Sequence, residues 1–202
     1  MNKKWLAPIL PYLAIWAGLF LFQNAWVALI GFHFALLFAL AVARPNIPVG
    51  VLFKSKHPKW IFASALFCGS SGIVLYFFWD LFGVADNLRA QLEAIGLNSS
   101  SWFAFSVYFS LVNPFIEEYF WRAYLGSDAK ELRASDFAYA GYHALILWRK
   151  THPLAVAFAV VTLVLVGWFW RQVRREDEGL LASALGHLAA DFTIMTCVYL
   201  RM

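Results

Sequence analysis

Apolar runs long enough to cross a bilayer make up most of this sequence, with short polar segments between them. A hydrocarbon core about 30 Å thick requires roughly 20 apolar residues, because an α-helix rises about 1.5 Å per residue. The 202 residues are 62% hydrophobic, more than a soluble chain of this length can bury. The runs therefore predict an all-α, polytopic transmembrane helix bundle that forms a single domain over residues 1–202.

The apolar runs divide into about seven spans. We expect them near residues 5–22, 25–43, 60–82, 100–125, 130–148, 154–170 and 180–200. The polar pair Gln23-Asn24 separates the first two spans. Between the third and fourth, Leu88, Leu92 and Ile95 recur at helical spacing among charged residues. This pattern is typical of a short helix that lies in the membrane interface.

Lysine and arginine are distributed unevenly among the polar segments. Two charged loops, 44–59 and 171–178, lie on the same side of a seven-span bundle as the N-terminal lysines, whereas residues 83–100 carry one Arg. Cytoplasmic loops are enriched in Lys and Arg, so we expect a cytoplasmic N-terminus and an external C-terminus. Arg149 and Lys150 depart from this rule. The net charge of +4 thus reflects topology, and no nucleic-acid partner is indicated.

Three of the predicted spans carry ionisable residues, which are costly in hydrocarbon and mark candidate functional sites. Glu118 and Arg122 on the fourth span are spaced for an ion pair within one helix. Glu117 points about 100° away from Glu118 and has no partner on its own helix. On the seventh span His187 and Asp191 share a face, again four residues apart.

Glu117, His143 and His187 are expected to lie at one depth in the membrane. Each is eight or nine residues from the expected cytoplasmic end of its helix, or roughly 12–14 Å. A carboxyl and two imidazoles at one level favour a site that activates water, with Glu117 as a general base. The alternative is that these groups only join helices through hydrogen bonds. His33 has no polar companion at helical spacing, and we expect it to be a packed or interfacial histidine.

Three short motifs follow one another on separate spans. They are EExxxR at residues 117–122, aromatic-xxx-His at residues 139–143 and HxxxD at residues 187–191. In this order they resemble the CPBP (Abi) family of intramembrane proteases, which includes the CAAX prenyl endopeptidases. The resemblance assigns the catalytic helices to residues 100–202, whereas residues 1–99 match only as generic spans with an interfacial helix.

The resemblance implies an endopeptidase in which a glutamate and a histidine activate a water that attacks the peptide carbonyl. Carried onto this sequence, those residues are Glu117 and His143, and Glu118 and Arg122 support the site. Tyr139 stands where the family usually has Phe.

The third motif is implied to stabilise the oxyanion through His187 and its partner. Asp191 stands where many members have Asn, and an ionised carboxylate cannot donate a hydrogen bond. We therefore expect Asp191 to orient His187, which would be the donor to the oxyanion. A metal-free mechanism is favoured, and the alternative is zinc held by Glu117, His143 and His187, because two His and one Glu leave an open position.

The implied substrate is a membrane-anchored protein or peptide, such as a C-terminal tail, cut near the cytoplasmic face of a prokaryotic inner membrane. Two other functions stay open. One is a non-catalytic immunity or scaffold protein of the same fold. The other is a proton-coupled carrier, for which inverted repeats or paired broken helices would be expected.

Overall fold

The computed structural model describes residues 3–202, and this part of the chain is helical without any strand. The α-helices are α1 (Ile9–Trp16), α2 (Ala25–Ala43), α3 (Lys59–Phe77), α4 (Leu88–Ala94), α5 (Trp102–Glu118), α6 (Ala134–Gly141), α7 (His143–Leu147), α8 (Pro153–Asp177) and α9 (Leu181–Arg201). A π-helical turn continues α1 over Ala17–Leu21, another continues α5 over Tyr119–Tyr124, and a 3-10 turn covers Val49–Phe53. The predicted all-α class is confirmed.

Four helices, α2, α3, α8 and α9, are long and apolar enough to cross a membrane. The predicted count of about seven spans is not confirmed. The first apolar segment forms an apolar helix over Ile9–Leu21, which is about 20 Å of helix. The fifth is divided at Tyr142 into α6 and α7, and α5 is 17 residues long before its π turn.

Large apolar side chains face outward along the long helices. Leu66 is 81% exposed, Phe103 77% and Leu154 74%. Exposed apolar surface of this extent is unfavourable in water and is expected where lipid replaces water. Together with the four candidate spans, it indicates an integral membrane protein.

The break between the first two helices lies where the sequence predicts it. Gln23 has a φ of 49°, in the left-handed region that non-glycine residues seldom adopt. The Asn24 side chain then caps α2 by accepting a hydrogen bond from the Val27 amide at 3.0 Å. An N-cap of this kind satisfies a backbone donor at the start of a helix.

The prediction of a charged loop at residues 171–178 is wrong, because α8 continues through Asp177. Arg171 is buried and pairs with Asp136 of α6 at 2.9 Å. Its guanidinium also donates to three backbone carbonyls of the loop that precedes α6. Since its charge is satisfied by a neighbouring helix and loop, Arg171 does not end the helix.

Close packing of α9 against α3 fixes the helix that carries the third motif. Gly72 of α3 lies against Thr193 of α9, so close that an added Cβ would overlap the Thr193 backbone. Gly186 of α9 approaches Ser64 of α3 in the same way. Small residues let two membrane helices approach closely. The contact turns the adjacent His187 toward the interior, where it is buried.

The short helix predicted from Leu88, Leu92 and Ile95 is present as α4. Leu88 and Leu92 are buried together with Trp102 at the start of α5. A second group of buried aromatic side chains lies between α2, α5, α6 and α8 and includes Phe32, Phe120, Trp121, Tyr139, Tyr142 and Trp170. The ionisable residues of the three motifs border this second group.

Candidate active site

A buried cluster of polar groups lies where α5, α6, α7 and α9 meet. Glu117 is 1% exposed, and Glu118 and Arg122 are fully buried. His187 and Asp191 of α9 are also buried. Charged groups withdrawn from water are costly unless they are paired or hydrogen-bonded. The partners of each group therefore decide what the cluster can do.

The carboxyl group of Glu117 contacts Tyr142, a residue that sequence reasoning missed. The Tyr142 hydroxyl lies 2.7 Å from both Oε1 and Oε2 of Glu117. The Tyr142 ring also stacks on the imidazole of His143, with ring centroids 4.1 Å apart. One side chain thus joins the acid of α5 to the histidine of α7. The available signal was weak, since Tyr142 is one of eight tyrosines and occupies an unspecified position of the second motif.

Glu118 joins α5 to α9. Its Oε2 lies 3.5 Å from Arg122 Nε, as the spacing of the two residues predicts, and its Oε1 lies 3.2 Å from His187 Nδ1. The Arg122 guanidinium also lies 4.0 Å from the centroid of the Tyr139 ring and 5.6 Å from that of Trp170. The charge of Arg122 is therefore balanced by one carboxylate and two ring faces.

The hydrogen-bond partner of the His187 ring is Glu118 of α5. The ring of His187 stacks on Trp170 with centroids 5.0 Å apart, and Nδ1 is hydrogen-bonded to Glu118. Asp191 Oδ1 faces Nε2 at 3.6 Å, an ion-pair contact that is too long for a hydrogen bond. His187 and Asp191 share a face as predicted, and the hydrogen bond to the ring comes from another helix. The Nε2 atom is the ring nitrogen left for a further acceptor.

His143 is half-buried and packs between two tyrosine rings. Its ring contacts Tyr142 and also Tyr139, at a centroid distance of 5.5 Å. The Nδ1 atom of His143 is buried and has no hydrogen-bond partner among the residues that the structure describes. Because Tyr139 also contacts the His187 ring at 6.2 Å, the three residues predicted to share one level all border the Tyr139–Tyr142 pair.

A second set of hydrogen bonds reaches Asp191 from α2. His33 Nε2 lies 3.0 Å from Asn113 Oδ1, and the Asn113 amide donates to Asp191 Oδ2 at 3.3 Å. The other ring nitrogen of His33 lies 3.0 Å from the Tyr108 hydroxyl. His33 is buried, as expected of a packed histidine, but it has polar partners. They lie 75 and 80 residues away on α5, so spacing within α2 could not reveal them.

Zinc has no preformed ligand set in this structure. Among residues 3–202, no three His, Cys, Asp or Glu side chains are grouped so that they could hold a metal ion. In the set considered from the sequence, Glu117 contacts Tyr142 and His187 Nδ1 contacts Glu118. Within the described residues, Glu117, His143 and His187 are not grouped as a set of metal ligands.

The chain is similar to one known family over the part that contains the three motifs. Residues 99–193 match the family model described as Type II CAAX prenyl endopeptidase Rce1-like. No curated protein and no solved structure matches the chain. The matched residues include α5 to α8 and the first half of α9, which carry every group of the polar cluster named above except His33. The match confirms the resemblance drawn from the motifs: residues 99–193 are similar to the Rce1-like family of type II CAAX prenyl endopeptidases.

Proposed function

We propose that this protein hydrolyses a peptide bond in a membrane-associated substrate through a water activated by Glu117 and His143. The family match over residues 99–193 supports a protease. The observation that carries the mechanism is the contact of both residues with Tyr142, which brings a carboxyl and an imidazole from different helices to one place. A general base must lie within hydrogen-bond reach of the proton that it removes.

In the proposed reaction Glu117 takes a proton from the water as the water oxygen bonds to the carbonyl carbon. The C–N bond then breaks, and the proton passes from Glu117 to the leaving amine. Tyr142 holds the Glu117 carboxyl beside His143. We assign the positioning of the water to the imidazole of His143, which stacks on Tyr142.

The negative charge that develops on the carbonyl oxygen needs a donor nearby. We assign this role to Nε2 of His187, because its Nδ1 is already bonded to Glu118. Arg122 balances the charge of Glu118, and Asn113 donates a hydrogen bond to Oδ2 of Asp191, the oxygen that does not face Nε2 of His187. Tyr139 supports the site by packing against both histidines.

The substrate of such a site is a protein or peptide attached to the membrane. The cluster lies within helices whose outer faces are apolar, so the peptide must reach it from the bilayer or from one membrane surface. We favour a C-terminal tail cut near the cytoplasmic face of a prokaryotic inner membrane. The proposed mechanism uses neither a metal ion nor another cofactor.

The mechanism can be tested with the purified protein in lipid nanodiscs and a fluorogenic peptide that carries a membrane anchor. We expect Glu117→Gln and His143→Ala each to lower kcat/KM by about 10²–10⁴, the usual contribution of acid–base catalysis. Glu93→Gln, which changes an exposed carboxylate on α4, is the matched control and should cleave normally. Treatment of the wild type with a chelator should leave the rate unchanged.

Two results would contradict these expectations. Cleavage at the wild-type rate by Glu117→Gln would remove the glutamate mechanism. Loss of cleavage with the chelator, followed by recovery with zinc, would show that a metal takes part. A wild-type protein that cleaves no anchored peptide would favour the non-catalytic immunity or scaffold role.

A further inference from the structure

A cavity lies apart from the candidate active site, and the proposed protease function does not use it. It has a volume of about 420 Å³ and opens between the end of the α1 segment, α4 and the residues that follow α7. Its polar lining consists of Gln23, Asn87, Gln91, Arg149 and Lys150. Apolar side chains, among them Phe20 and Trp148, complete the wall.

The lining of this cavity carries two cations and no acid. Among residues 3–202 no carboxylate forms an ion pair with Arg149 or Lys150, whereas Arg89 and Arg201 at the same end of the bundle have acidic partners. Burial also lowers the pKa of Lys150 from its ordinary value, and a bound anion would favour its charged form. The cavity therefore has an unbalanced positive charge.

The backbone that carries the two cations is held in place. Arg149 has a φ of 60°, a conformation that costs free energy in a non-glycine residue and that recurs at ligand sites. The Gln91 side chain of α4 donates to the Arg149 carbonyl at 3.2 Å, and the Ala85 amide donates to the Lys150 carbonyl at 2.9 Å. These contacts fix the segment that presents both cations to the cavity.

The surroundings of the cavity are those of a membrane–water interface. Trp148 is 59% exposed and Phe20 41% exposed, and Trp side chains are enriched at the level of lipid headgroups. A phospholipid presents a phosphate next to apolar chains, which matches a cationic and amide-rich cavity bordered by exposed aromatic rings. Arg and Lys bind phosphate oxygens through charge-assisted hydrogen bonds. A bound lipid would also account for Arg149 and Lys150, which depart from the enrichment of Lys and Arg in cytoplasmic loops.

We propose that this cavity binds the phosphate group of an anionic phospholipid, with Arg149 and Lys150 as its cationic contacts and the amide of Gln23 as a further donor. The lipid chains lie along Phe20 and Trp148. The site is independent of the Glu117 cluster, so catalysis and lipid binding can be measured separately.

Native mass spectrometry of the purified protein in detergent, titrated with phosphatidylglycerol, tests this site. We expect the wild type to retain phosphatidylglycerol in preference to zwitterionic phosphatidylcholine. The double variant Arg149→Gln/Lys150→Gln should bind phosphatidylglycerol about tenfold more weakly or worse, because two charge-assisted hydrogen bonds are lost. Titration of the wild type with glycerol 3-phosphate distinguishes a lipid site from a site for a soluble phosphate compound. Only a site for soluble phosphate would bind glycerol 3-phosphate at the concentration at which phosphatidylglycerol binds.

The matched control is Arg174→Gln/Arg175→Gln. These two adjacent cations line another cavity of about 390 Å³ but already have carboxylate partners, Asp128 and Glu176. The control should keep the wild-type affinity for phosphatidylglycerol. Equal affinity in both double variants, or equal retention of the two lipids by the wild type, would overturn the proposal. If the first double variant fails to fold, Lys150→Gln alone, which leaves the Arg149 backbone intact, gives the same comparison.

Discussion

At the scale of single residues, the position of the Glu117 carboxyl depends on the Tyr142 hydroxyl. The Tyr142 ring packs against Phe32 at 5.0 Å and against Trp121 at 6.2 Å between centroids. With aromatic rings around it, the hydroxyl cannot turn to another acceptor without moving the core. Tyr142 is therefore a positioning residue for the proposed general base, although the second motif does not specify the residue at its position.

Removal of that hydroxyl is the sharpest test at this scale. Tyr142→Phe keeps the ring stacked on His143 but loses the contact with Glu117. We expect kcat to fall about 10–100-fold with little change in KM, because the hydroxyl contacts the base and not the substrate. Steady-state cleavage of the anchored peptide measures both parameters.

Tyr12→Phe is the matched control for this experiment. It removes a hydroxyl that donates to the Ala138 carbonyl at 2.8 Å, beside the same ring cluster. A lost hydrogen bond of this kind costs about 1 kcal/mol of stability, and kcat should stay at the wild-type value. An equal fall of kcat in the two variants would show that Tyr142 acts only through the stability of the core.

At the scale of secondary-structure elements, the packing of α9 on α3 determines where His187 lies. Gly72 and Gly186 bring the two backbones together, and His187 follows directly after Gly186 in the sequence. The hydrogen bond from His187 to Glu118 then connects α9 to α5. A change at the glycine contact should therefore affect both stability and the site.

We expect Gly72→Ala to destabilise the protein by about 1–3 kcal/mol, the usual cost of overpacking a well-packed contact. The added methyl group has no room against the backbone of Thr193. Thermal unfolding in detergent measures the change, and kcat should fall with it because α9 must shift. Gly50→Ala, where an added Cβ meets no atom within 4 Å, should unfold at the wild-type temperature. Equal stability of the two variants would mean that α3 and α9 are not tightly fixed.

At the scale of the whole molecule, polar segments that are distant in sequence meet at one end of the bundle. The Leu180 amide donates to the Val51 carbonyl at 3.0 Å, and the Lys56 amide donates to the Asp177 carbonyl at 3.1 Å. The basic residues of 44–59 and of the end of α8 thus lie together. This grouping supports the proposed orientation, with that end of the bundle in the cytoplasm.

Labelling with a membrane-impermeant maleimide tests the orientation. The two native cysteines are buried, so a single cysteine introduced at an exposed position reports its side of the membrane. We expect Asp86→Cys to be labelled in intact cells and Lys130→Cys to be labelled only in inside-out vesicles. The opposite result would reverse the proposed topology and place the candidate site on the external side.

Sequence by itself determined the features that depend on composition and on spacing within one helix. Apolar runs predict membrane helices because hydrocarbon leaves the backbone no other partners. The i,i+4 spacing predicts the contact of Glu118 with Arg122, since residues four apart share a helix face. The three motifs, read in order, identified the family that matches residues 99–193.

Tertiary structure alone decided which helices supply the partners. Tyr142 contacts Glu117, Glu118 orients His187, and Arg171 is neutralised by Asp136 across the boundary between two helices. No spacing within a helix encodes these pairs, because they depend on how whole helices approach and rotate against one another. That arrangement is set by many side chains at once, through close packing and the pairing of buried polar groups.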